Sequence, residues 1–147
     1  MKIFLTCLFI TVPSLLFGQT AERIERLLKQ EQVNFKDAAL LVLEASGRLD
    51  PSKQTNADDA FSFAKERGWL PKSAEANADA RLDSLSLLVI RAFDIDGGLF
   101  FSLFKNPHYA YRAMVYRGIV QGRSDPQMFV SGELLLYTVN RANNNEQ

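Results

Sequence analysis

Cysteine is almost absent from this chain. Cys7 is the single one among 147 residues, and it lies inside an N-terminal apolar run. Disulfides therefore cannot hold the fold, and packing must. Histidine is as scarce: with His108 alone, a zinc site lacks ligands and a Ser/His/Asp set has no sequence-supported partner for the base. Net charge is also missing, since 17 Lys and Arg balance 17 Asp and Glu. Without a basic surplus there is no electrostatic case for nucleic acid. Strand-type alternation is not found, and no apolar segment reaches the roughly 20 residues of a comfortable membrane span. What remains is an all-α chain with no expected catalytic set, metal site or cofactor.

The N-terminus reads as an export address. Lys2 is a short positive start, Ile3 to Phe17 is the apolar run, and Gly18, Gln19 and Thr20 suit cleavage. Residues 1–18 are expected to leave as a signal peptide. The remainder would be exported, periplasmic or cell-surface associated, with no transmembrane span. Residues 19–34 follow as an amphipathic helix carrying Ile24, Leu27 and Leu28 on a narrow stripe. Its acidic and basic residues alternate, which favours packing onto the domain over a membrane-surface role. Residues 35–142 are the expected helical domain, and 143–147 a polar, disordered tail.

Within the domain the chain repeats itself at an offset of 50 residues. Ala60, Arg67 and Gly68 recur as Ala110, Arg117 and Gly118; Leu85, Val89, Arg91 and Ala92 recur as Leu135, Val139, Arg141 and Ala142. Such a period marks a supersecondary unit that buries its apolar face on its copy. Each copy, at 56–93 and 104–142, reads as helix, glycine, loop, helix. Asn56 and Asn106-Pro107 open the first helices as caps, and Gly68 and Gly118 close them. In the second helices Leu82, Leu85, Val89 and Ala92 form one stripe and Leu135, Val139 and Ala142 its equivalent, with Gly132 in the place of Leu82. Leu87, Leu88 and Ile90 lie off the stripe, so the earlier helix is expected to be buried on more than one side. About six helices are expected in all.

The motif order from Phe104 to Ala142 resembles an S-layer homology (SLH) module. It has Phe104-Lys105-Asn106, His108-Tyr109-Ala110, Gly118-Ile119-Val120-Gln121-Gly122, Asp125 with Phe129, and Val130-Ser131-Gly132-Glu133. The first copy offers Gly68 and Ala80-Arg81-Leu82-Asp83, and Phe35-Lys36-Asp37 resembles a further module entry. The resemblance implies tandem helix-loop-helix modules packed as one helical domain. It also implies grooves holding anionic cell-wall polysaccharide, lined by Arg81 in the first copy and by Tyr109, Gly122 and Ser131 in the second. Where the family opens its second helix with Thr-Arg-Ala-Glu, Ala80 and Val130 lack the capping hydroxyl, and Asp79 and Ser131 are the available substitutes. Ser131 also stands in the place of the arginine, and Tyr109 in that of a tryptophan. The helix N-terminus beside Arg81 would add free N–H groups for an anion.

Other motifs have bland readings. Asp94-Ile95-Asp96-Gly97-Gly98 starts like a calcium loop but continues with Leu99, Phe100 and Phe101, so a turn is expected. Leu99 to Phe104 is expected to pack in the cleft between the copies. Trp69 aligns with Ile119 as a core position, and Asp58 and Asp59 read as charge at a helix start. Two functions fit: an exported, non-enzymatic module binding envelope polysaccharide, or an interaction protein docking on another envelope protein.

Overall fold

The computed structural model describes residues 15–50, 52–121 and 124–145. It is all-α, with seven helices among the described residues and no strand. They are α1 (Leu15–Leu28), α2 (Phe35–Ala45), α3 (Ala57–Glu66), α4 (Leu82–Ala92), α5 (Gly98–Phe104), α6 (Pro107–Tyr116) and α7 (Gly132–Asn145). Helix starts follow from short polar side chains: Asn34, Asn56 and Asn106 accept hydrogen bonds from the amides of Asp37, Asp59 and Tyr109 at 2.9, 2.8 and 3.1 Å. Gly68 and Gly118 adopt φ of +68° and +71°, the left-handed geometry that ends α3 and α6. The amides that follow them close the same bond in each copy, Trp69 to the Ala64 carbonyl and Ile119 to the Met114 carbonyl, both 2.9 Å.

α4 is the central helix. Leu85, Leu87, Leu88, Val89 and Ile90 are all buried, so it is enclosed on every side, as the off-stripe residues imply. α3 packs on α2, α6 on α4, and α1 on α7. Just before α2, α4 and α7, three buried residues close a ring of backbone hydrogen bonds. Val33 donates to the Val130 carbonyl (2.8 Å), Val130 to that of Ala80 (2.9 Å), and Ala80 to that of Val33 (2.8 Å). A second set, one step out, links the same three segments in the opposite sense: Phe35 donates to Ala78, Leu82 to Met128 and Gly132 to Gln30, each 3.0 Å. The three helices thus start side by side from a common hub.

This hub corrects the sequence reading of the Phe35 segment. Phe35 does not open a first helix of a further module. It opens α2, the counterpart of the second helices α4 and α7, at an offset of 47 from α4 (Val33 to Ala80, and Gly47 to the left-handed Asp94). Ala80 and Val130, which cannot cap, instead occupy the hub with no exposed surface. The cap position is one residue later, and there the Ser131 hydroxyl accepts from the Leu134 amide at 3.2 Å, whereas α4 has no side-chain cap and Asp79 does not supply one.

Three further expectations change. The described residues hold seven helices rather than about six because Gly98–Phe104 forms one. That helix is not packed in a cleft. α6 packs on α4 with Ala110 and Ala113 buried, and Phe101 is the only buried residue of α5. α1 ends at Leu28, and Leu27 is buried while Leu28 is half exposed, so the amphipathic stripe is narrower than its sequence. α7 continues through Asn145, whose side chain bonds the Arg141 carbonyl at 3.3 Å, so 143–145 are helical rather than a disordered tail. Residues 1–14 of the expected signal peptide lie outside the described residues.

Candidate functional site

A wide concavity lies at the head of α4. It is an open groove of about 540 Å³, and its rim includes Arg81, Asp79, Asp83, Phe35, Pro107 and Phe129. Its walls come from distant parts of the chain because the hub gathers them. Arg81 and Phe129 are held as an isolated antiparallel bridge, and Asn34 and Asp79 as another. Phe35 caps one side as the first residue of α2, and Pro107 approaches as the first residue of α6. Phe129 is 45% exposed, leaving an aromatic surface at the rim, whereas Phe35 is 7% exposed and forms the floor.

Arg81 is the N-cap residue of α4, in extended geometry at φ −95° and ψ 154°. Its guanidinium is exposed and has no hydrogen-bond or ion-pair partner among the described residues. The expected free amides beside it are not free. The Leu82 and Asp83 amides donate to the Met128 and Pro126 carbonyls at 3.0 and 2.8 Å, and the Ser84 amide donates to the Asp83 carboxylate at 2.6 Å. The helix dipole is already answered by Asp83 in the first turn. Any anion recognised here must therefore be held by the guanidinium itself, with Asp79 and Asp83 opposing it.

The other residues expected at binding grooves are not gathered here. Tyr109 does not line the groove; its ring stacks on Phe104 and Phe100, with centroids 5.0 and 5.8 Å apart. Ser131 spends its hydroxyl on the α7 amide. Gly122 lies outside the described residues. At the head of α7, the place equivalent to the groove is filled. A Cβ on Gly132 would fall 1.8 Å from the Leu27 carbonyl oxygen, so the end of α1 lies directly against the α7 backbone. A smaller cavity of about 140 Å³ follows the α1–α2 seam, lined by Arg23, Leu27, Gln30 and Leu40 among others. The two copies are thus unequal for a reason the sequence did not display: one helix head is open and the other is covered.

The Asp94-to-Gly98 segment joins α4 to α5 as a turn, in which Asp96 accepts from the Gly98 amide at 2.9 Å. No group of His, Cys, Asp and Glu suited to a metal occurs among the described residues. Trp69 packs edge-on against Phe63 at 5.8 Å and is partly buried. His108 is exposed and meets the edge of Tyr109. No family model, no curated protein and no solved structure matches the chain.

Proposed function

We propose that this chain is an exported, non-enzymatic binding module of the cell envelope, similar to an SLH module, and that the groove at the head of α4 holds an anionic group of a wall polysaccharide. The observation that carries this reading is the unpartnered Arg81 guanidinium at a position whose backbone is bridged to Phe129, with the exposed Phe129 ring on the same groove. A guanidinium offers a planar fork to a carboxylate or phosphate, and an aromatic face suits the apolar side of a sugar ring. Asp79 and Asp83 restrict the site to one anionic group and make it sensitive to salt.

The same two carboxylates favour a second reading, in which the groove receives a basic segment of another envelope protein. Sedimentation with purified sacculi separates the two. Under the polysaccharide reading the chain sediments with intact sacculi at low salt and not with sacculi stripped of secondary polymers. Arg81→Ala should then lose binding while keeping its helical CD spectrum and melting temperature. Equal sedimentation with stripped sacculi, or unchanged binding by Arg81→Ala, refutes it.

A further inference from the structure

α5 presents an apolar face that no other described residue covers. Leu99, Phe100, Leu103 and Phe104 are 72, 62, 67 and 56% exposed, and their spacing puts them on one side of a single short helix. The helix is nevertheless firmly held. Phe101 is buried beneath it with the Arg91 guanidinium 5.2 Å from its ring, and Phe100 and Phe104 stack on Tyr109 of α6. Four large apolar side chains on one helix of a protein with a net charge of zero are not scattered exposure. They form one patch of a size that marks an interaction surface.

Along the chain from α5 into α6 the charges are of one sign. From Gly97 to Tyr116 the chain carries Lys105 and Arg112, together with His108, and no Asp or Glu. Lys105 directly follows Phe104 in left-handed geometry (φ 47°), and Arg112 lies one helical turn beyond His108; all three are exposed. The nearest acids in sequence precede the helix. Asp96 is bonded to the Gly98 amide and paired with Arg117 at 3.4 Å, and Asp94 sits in the turn.

We infer that α5 is a membrane-docking element that inserts Leu99, Phe100, Leu103 and Phe104 into the interface of a bilayer rich in anionic lipid, with Lys105 and Arg112 on the headgroups. An apolar helix face with cations at its edge is the composition that binds at the headgroup–acyl boundary. A second copy of the chain is the less suitable occupant on two counts. Four side chains at these exposures offer roughly 500 Å², short of the roughly 800 Å² per partner of a stable interface. A two-fold contact would also bring two like-charged patches together, with Lys105 and Arg112 present on both sides. The inference is independent of the Arg81 groove, which lies at the head of α4.

The test is flotation of the full chain with vesicles of phosphatidylcholine alone and with phosphatidylglycerol added. The wild type should float with the anionic vesicles and less with the neutral ones, and salt should reduce the difference. Leu99→Ser/Leu103→Ser removes exposed side chains only, so CD and melting temperature should hold while partitioning falls at least about tenfold. Lys105→Glu/Arg112→Glu should abolish the preference for anionic vesicles while leaving the apolar face intact. The N-terminal apolar run is common to all three proteins and cancels in their comparison. Equal flotation of the wild type and both variants overturns the inference. So does a wild-type dimer that Leu99→Ser/Leu103→Ser dissociates without any vesicle preference, which would assign the face to self-association.

Discussion

Replacing Gly132 by alanine sets two physical effects of opposite sign against each other. Alanine is the better helix residue, by up to about 1 kcal/mol in a helix interior. At Gly132 its methyl would lie 1.8 Å from the Leu27 carbonyl oxygen and 2.6 Å from the carbonyl carbon. Both are backbone atoms, so no side-chain rotation relieves the overlap, and α1 must retreat by more than an ångström. That movement weakens the 3.0 Å bond from the Gly132 amide to the Gln30 carbonyl, worth about 1 kcal/mol. It also begins to uncover Leu27, now 7% exposed. Overpacking of this kind costs about 1–3 kcal/mol. We expect the clash to win, with a net loss of about 1–3 kcal/mol and a fall in melting temperature of about 2–12 °C for a chain of this size. Thermal unfolding followed by CD gives the stability. Limited trypsin digestion reads the position of α1 through Arg23, Arg26 and Lys29, which should be cut faster once the helix loosens. An unchanged or higher melting temperature, with an unchanged cutting rate, would mean that α1 does not lie against α7.

Leu85→Ala removes a fully buried side chain at the centre of α4 and should cost about 2–5 kcal/mol; a melting temperature equal to wild type would show that α4 is not core. Asn56→Ala and Asn106→Ala each remove the side-chain bond that starts α3 or α6 and should cost about 0.5–2 kcal/mol in chemical denaturation. Because the two caps lie on different helices with no shared partner, the double variant should show the sum of the single losses.

The parts of the fold that were legible in the sequence are local ones. Asn106-Pro107 and Gly118 bracket α6 because a cap and a left-handed residue act within a few bonds of their own helix. Leu82, Leu85 and Val89 marked the core face of α4 because a helix repeats every 3.6 residues. The hub was not legible. Val33, Ala80 and Val130 meet through backbone groups, which any residue carries, and the change of offset from 50 to 47 hid the kinship of α2 with α4 and α7. The exposure of the four α5 residues is not legible in sequence because an apolar run alone does not say which neighbour covers it; here α6 packs on α4 and α5 lies outside that pair.

The site was legible to the same extent. Arg81 is found from its place in a motif, but its neighbours are not. The carbonyls of Pro126 and Met128 reach the head of α4 from more than forty residues away, and they take the amides that an isolated helix would leave open. Tyr109 and Ser131 show the converse: their positions in the repeat match Asp59 and Arg81, but stacking on α5 and capping of α7 give them other work.

The hub has a consequence for how the chain reaches its folded state. Each of Val33, Ala80 and Val130 is both donor and acceptor, so removing any one of them strands a carbonyl and an amide on the other two. Those groups are sealed from water, where an unmet backbone group costs about 1–3 kcal/mol. Two thirds of the chain therefore cannot rest in a partial version of the final arrangement. The link from Val33 to Val130 also closes nearly the whole domain in one loop, a contact whose entropy must be spent before its neighbours return anything. Helical proteins usually fold fast through local contacts; here the hub is complete only once the segment before the last helix joins it. Cooperative unfolding in a single transition is the expected outcome, read as coincident denaturation curves by CD and by tryptophan fluorescence.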